Sequence, residues 1–129
     1  MRKILIIDDE ESLLNNIRDF LVLKGYSVFI SLNGAEGINI VREHQPDLVL
    51  LDLHLKDGPM GTDVLRISKM LKQDIKVIIF TGFGDEEETM AKCKAGGADA
   101  MLSKPTTLKS IKETIDNLLG EIKERENYP

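Results

Sequence analysis

The sequence predicts an α/β fold built around one mostly parallel sheet. Two observations carry this. Short apolar runs alternate with longer amphipathic ones along the whole chain, five of each, the pattern of strands separated by crossover helices. The runs KILIID (3–8), DLVLLD (47–52) and KVIIFT (76–81) are almost continuously apolar, as strands are when helices cover both faces of the sheet. The length of 129 residues, 42% hydrophobic and 30% charged, suits a single domain with its own core.

Taken in order, KILIID is too short and too rich in isoleucine for a helix. EESLLNNIRDFLVLK sets Leu14, Ile17 and Leu21 on one helical face, and Gly25 is its stop. YSVFIS (26–31) alternates less cleanly and reads as an edge strand. NGAEGINIVREH is a weaker helix, its propensity lowered by Gly34 and Gly37, and Pro46 ends it. DLVLLD follows as the third strand. TDVLRISKMLK places Val64, Ile67 and Leu71 in phase for a third helix, and KVIIFT is the fourth strand. DEEETMAKCKA opens with four acids, which favour a helix N-terminus through its dipole. GGADAMLS supplies a helix stop and a short fifth strand. TLKSIKETIDNLLGEIKE keeps Leu108, Ile111, Ile115, Leu118 and Ile122 in phase as the last helix. The polar end KERENYP is expected to fray. The domain is therefore expected over 1–120, with 121–129 as a polar extension.

Bulk properties narrow the function. A net charge of -5 argues against direct nucleic-acid binding. No apolar stretch reaches the roughly 20 residues that span a bilayer. The opening MRKILIIDDEES turns acidic too soon for a signal peptide. The chain reads as cytoplasmic, and a single cysteine, Cys93, agrees with a reducing compartment.

The apolar runs end in reactive side chains. The first ends in Asp8-Asp9, the third in Asp52, the fourth in Thr81 beside Gly82, and the fifth in Ser103-Lys104-Pro105. Open parallel sheets bind ligands beyond the carboxyl ends of their strands, so these groups converge on one crevice. Clustered carboxylates repel unless a cation lies among them. An all-oxygen set with few protein donors suits Mg²⁺ shared with a phosphate. A carboxylate can itself be the nucleophile and form an acyl phosphate. Lys104 and the Thr81 hydroxyl would then bind phosphoryl oxygens, and Gly82 leaves room beside them. The plainer alternatives are that Asp8 or Asp9 is only a helix cap, that Thr81 is a turn hydroxyl and that Lys104-Pro105 is a loop. The convergence with Asp52 favours the acidic pocket. His44 and Cys93 are expected to be structural, and the His54 side chain to face solvent.

IIDDEE, DLVLLDL, IIFTG and GADAMLSKP, in this order and spacing, resemble the receiver domains of two-component response regulators, the CheY-like superfamily, over about residues 1 to 120. The resemblance implies a doubly wound, flavodoxin-like sheet of five parallel strands in the order 2-1-3-4-5. It implies that Asp52 accepts a phosphoryl group from a histidine kinase or phosphotransfer protein. It implies Mg²⁺ held by Asp9, Asp52 and the main-chain carbonyl of His54, with Asp8 acting mainly through water. Thr81 and Lys104 would hold the phosphoryl group, and a cis Lys104-Pro105 bond would aim the lysine inward. The face made by the fourth helix, fifth strand and fifth helix would then engage a downstream partner, an output domain or a second copy of the chain. The chain would not be an enzyme beyond its own phosphorylation and slow dephosphorylation.

Three positions depart from the family pattern. Met101 stands where an aromatic residue is usual; a flexible methionine can still fill or vacate a pocket. Lys56 replaces a proline in HLKDGPMGTD (54–63), a loop about one residue longer than usual. Phe83 occupies a position often small or polar, where it would shield the phosphoryl group from water. A receiver excised from a longer transcriptional regulator is an alternative. An aspartyl-nucleophile phosphatase of the haloacid dehalogenase type needs an acid two residues after its nucleophile, where this chain has His54. A flavin carrier needs a phosphate loop after the first strand, where DDEES would repel phosphate.

Overall fold

The computed structural model describes residues 1–82 and 87–120. Strands and helices alternate as β1 (Lys3–Ile7), α1 (Glu11–Leu23), β2 (Ser27–Ser31), α2 (Gly34–His44), β3 (Leu48–Leu51), α3 (Gly61–Leu71), β4 (Lys76–Thr81), α4 (Glu87–Ala95), β5 (Ala100–Ser103) and α5 (Leu108–Leu119). The strands make one parallel sheet in the order β2-β1-β3-β4-β5. The chain winds outward from β1 to β2, then crosses back to β3. That reversal puts a crevice at the carboxyl ends of β1 and β3.

The continuous apolar runs exist because alternate residues feed two cores. Leu5, Ile7, Val49, Leu51, Val77 and Ile79 pack with Ile38, Val41, Val64, Leu65 and Cys93 of α2, α3 and α4. Ile4, Ile6, Leu48, Leu50, Ile78 and Phe80 pack with Leu14, Ile17, Leu21, Ile111 and Ile115 of α1 and α5. The edge strands β2 and β5 are only half-buried for most of their length. Cys93 is fully buried among these side chains, and His44 stacks on Phe29 at a centroid distance of 4.6 Å, so both serve packing as expected.

Capping follows the sequence in most places. Gly25 takes φ 98° just beyond α1, the left-handed turn that stops a helix. Asn33 caps α2 by accepting the Glu36 amide at 2.9 Å, and Thr107 caps α5 by accepting the Ser110 amide at 3.0 Å. Thr107 is thus the cap of α5 and not its first turn. The expected continuation through Ile122 lies outside the described residues, as do the first two acids of DEEE.

The third strand is shorter than its apolar run because both flanking aspartates are used otherwise. Asp47 donates its amide to the Lys3 carbonyl at 2.8 Å, and its carboxylate accepts the Lys3 amide at 2.7 Å. Asp99 repeats the device before β5. Its amide reaches the Val77 carbonyl at 2.8 Å, and its carboxylate accepts the Val77 amide at 2.8 Å and Lys69 Nζ at 2.9 Å. A side chain thus completes the ladder at the amino edge of the sheet. On the α1–α5 side, Tyr26 donates to Asp116, which also accepts Lys112 Nζ at 2.6 Å.

Two helices approach the sheet through glycine. A Cβ at Gly37 would fall 2.3 Å from Ile7 Cδ1, so the residue that weakens α2 as a helix lets it pack on β1. At Gly61 the neighbours are backbone: a Cβ would lie 2.5 Å from Leu53 Cα and 2.6 Å from the Asp52 carbonyl oxygen. Alanine is the better helix former by about 1 kcal/mol, but rigid main chain cannot yield to it. Gly61→Ala should therefore destabilise the chain by roughly 1–3 kcal/mol in urea unfolding. Unchanged or increased stability would show that α3 can back away freely.

Candidate functional site

The site is assembled from strand ends. Asp8 follows β1 directly and its amide donates to the Ser31 carbonyl at 3.1 Å. Asp52 follows β3 and its amide donates to the Ile7 carbonyl at 3.0 Å. The ladder thus continues one step past the strands and sets the two aspartates side by side. Asp8 is 1% exposed and Asp52 6%; Asp9 is half-buried. One oxygen from each of the three lies within 4.8 Å of the others.

Each buried carboxylate divides its oxygens between two tasks. Asp8 Oδ1 accepts the Glu10 amide at 2.9 Å, and Asp52 Oδ1 accepts the His54 amide at 3.1 Å. Their Oδ2 atoms share Lys104 Nζ, at 2.6 Å for Asp8 and 3.3 Å for Asp52. Glu10, not Asp8 or Asp9, occupies the N-cap position of α1, although Asp8 tethers its amide. Asp9 has no hydrogen bond or ion pair among the described residues. Lys104 is set by β5: its amide donates to the Thr81 carbonyl at 2.7 Å, and the Lys104-Pro105 bond is cis.

Burial pushes the Asp52 carboxyl above its ordinary value. The Asp8 charge adds to this, while the His54 amide and the Lys104 ammonium work against it. Burial disfavours the Lys104 ammonium too, but the hydrogen bond and charge of Asp8, with the charge of Asp52, outweigh it and hold its pKa above the usual lysine value. The ionised cluster carries more negative charge than one lysine balances. Its all-oxygen donors suit a hard divalent cation, and Asp9 has a carboxylate to spare for one.

The remaining expected residues fall nearby. Thr81, 3% exposed, ends β4. Open space adjoins Gly82, which lines a cavity of about 400 Å³ together with Glu10, Leu13, Lys104 and Pro105. Met101 is half-buried on β5, opposite Ile79 and packed against the α2–α4 core. His54 is exposed and lines a second cavity of about 290 Å³ with Met60, Thr62, Thr89 and Lys92. The long loop turns through Asp57 and Gly58, at φ 53° and 81°, while Leu53 and Leu55 stay buried. Phe83 lies outside the described residues. Sequence reasoning passed over Phe80, whose ring lies beneath Lys104; its place in the apolar run KVIIFT concealed it.

The response regulator receiver domain model matches residues 4–116. The chain belongs to the response-regulator receiver family. It is 34% identical to the polar-differentiation response regulator DivK of Brucella anthropi, over 93% of this chain and 98% of that protein. Among solved structures it resembles a CheY-like receiver domain protein from Methanospirillum hungatei JF-1, with TM-score 0.86 and 30% identity over 91% of this chain and 92% of that one. It also resembles a response regulator from Burkholderia pseudomallei with a phosphorylated aspartic acid, a calcium ion and citrate, with TM-score 0.82 and 25% identity over 93% of this chain and 68% of that one. The receiver's five-stranded order and its acidic pocket agree with the expectations above. No helix among the described residues is long and apolar enough to cross a membrane.

A raised carboxyl pKa in the folded receiver means that ionised Asp52 opposes folding at neutral pH. In chelator and at pH 7, Asp52→Asn should therefore melt higher than the parent chain. The gap should narrow as pH falls through the folded pKa of Asp52, which lies above the ordinary carboxylate value of 3.8. Thermal melts of both proteins between pH 7 and pH 4 measure this. A variant that melts lower at pH 7 would show that Lys104 more than compensates the buried charge.

Proposed function

We propose that this receiver takes a phosphoryl group on Asp52 from a histidine kinase or phosphotransfer protein, in a Mg²⁺-dependent reaction. The observation that carries the reading is the Asp52 carboxylate at the mouth of β3, with Asp8 and Asp9 oxygens within 4.8 Å and the Lys104 ammonium 3.3 Å away. One Asp52 oxygen attacks phosphorus, the bond from phosphorus to the donor nitrogen breaks, and its electron pair stays with the departing imidazole. Mg²⁺, held by Asp9, Asp52 and the His54 main-chain carbonyl with Asp8 acting through water, would supply positive charge to the phosphoryl oxygens. Lys104 holds its ammonium beside the acceptor throughout. The Thr81 hydroxyl binds a phosphoryl oxygen, and the open space at Gly82 admits the group. The phosphorylated aspartate and calcium ion of the Burkholderia pseudomallei structure support this chemistry in a related protein.

Thr81, Ile79 and Met101 share one face of the sheet by register and alternation. Movement of Thr81 toward the phosphoryl group would free space on that face, and Met101 would follow, altering the α4–β5–α5 surface. That surface would meet a downstream protein, an output domain or a second copy. The shift is a change of population, limited by differential contacts in the two states. In this reading residues 1–120 form the receiver and 121–129 extend from it. The protein works in the cytoplasm, touches no nucleic acid through this domain, and catalyses nothing beyond its own phosphorylation and dephosphorylation. An aspartyl-nucleophile phosphatase is disfavoured because His54, not an acid, lies two residues after Asp52.

Incubation with acetyl phosphate and Mg²⁺ should add one phosphoryl group by intact mass. Asp52→Asn should add none, and chelation should suppress the reaction. Lys104→Met should slow it on the order of a hundredfold. Phosphorylation of Asp52→Asn would move the acceptor elsewhere.

A further inference from the structure

The Lys104 ammonium has a third neighbour besides its two carboxylates. Its Nζ lies 5.0 Å from the centroid of the Phe80 ring, within the range in which a cation is drawn to an aromatic face. Phe80 is 2% exposed and belongs to the core beneath α1 and α5. Its neighbour Thr81 accepts the Lys104 amide at 2.7 Å, and Phe80 itself pairs with Leu102. The lysine side chain therefore folds back from the end of β5 over a ring fixed in β4. The Lys104 side chain is 20% exposed, so the contact with the ring is partly shielded from water.

We propose that Phe80 is a positioning residue for phosphoryl transfer, its π face holding the Lys104 ammonium over the acidic cluster. The inference rests on Asp52 as acceptor and Lys104 as the group that steadies the phosphoryl oxygens. Its physical basis is that the three contacts respond differently to the reaction. The Asp52 oxygen that becomes phosphorylated gives up its charge, so that contact changes as the product forms. Asp8 holds Lys104 most closely, at 2.6 Å, and pulls it toward β1. The ring neither titrates nor reacts. It gives the ammonium a constant attraction on the β4 side, and it restrains a long side chain that would otherwise sample many rotamers. A leucine at position 80 would keep the site apolar but would not attract a cation.

Graded fluorination separates the two roles, because it drains the ring's negative face at nearly constant size. Phe80 is replaced by mono-, di- and trifluorophenylalanine, and phosphorylation from acetyl phosphate in Mg²⁺ is timed for each protein. The rate should fall stepwise, about three- to tenfold across the series, while melting temperatures stay together. The same series in a Lys104→Met background should be flat. NMR of the unmodified, metal-free protein gives an independent reading. The Lys104 ε-methylene protons should be shifted upfield by the ring and should lose that shift in Phe80→Leu. A flat rate series in the parent chain would make Phe80 plain packing and overturn the inference while leaving the acceptor reading intact. An unshifted ε-methylene would overturn it as well. A parent chain that takes no phosphoryl group would overturn the acceptor reading and this inference together.

Discussion

One shared proton donor holds the functional end of this molecule together. Lys104 Nζ bridges Asp8 and Asp52, two carboxylates the parallel ladder forces side by side and the helices largely shield from water. Without a cation between them they would repel across a poorly screened gap. The bridge spans most of the sequence, because Asp8 follows the first strand and Lys104 follows the last. It ties the outermost crossover to the middle of the sheet. It also explains why the turn after β5 is fastened to the Thr81 carbonyl: the lysine must be aimed inward across β4.

The two edges of the sheet use the same residue type to opposite effect. At the amino edge, Asp47 and Asp99 meet unpaired strand amides, which are donors, and each carboxylate is satisfied by the backbone it completes. At the carboxyl edge the strands present carbonyls, and Asp8 and Asp52 must find donors in the following turns and in Lys104. One edge therefore contributes to strand register. The other accumulates negative charge and is suited to binding and chemistry. The asymmetry comes from chain direction alone, and it appears here because every strand runs the same way.

Much of this was legible in the residues. The alternation of apolar and amphipathic runs gave the order of elements, and continuous runs such as KVIIFT announced strands covered on both sides. The convergence of Asp8, Asp9, Asp52, Thr81 and Lys104 could be read because each ends an apolar run, and strand ends meet in space. Less was legible where a residue's role depends on its neighbour across the sheet. Asp47 looked like the first residue of a strand, yet its carboxylate serves Lys3. Gly37 looked like a defect in a helix, yet Ile7 needs its missing side chain. Phe80 was hidden for the same reason: an aromatic residue in a strand looks like core until the lysine above it is placed. That Lys104 would hold Asp8 more closely than Asp52, at 2.6 Å against 3.3 Å, is something no pattern of letters records.

The segment after Asp52 keeps a strand's alternation without being a strand. Leu53 and Leu55 are buried against the core, while His54 and Lys56 face outward. Two anchors thus carry the cost of fixing the loop. Position 54 stands two residues after Asp52 but contributes little to the core. In the proposed reading, an exchange there would change the life of the phosphoryl group while the domain's melting point hardly moves. In such a layout timing and foldability are inherited on separate residues, and one scaffold can serve circuits that run at very different speeds.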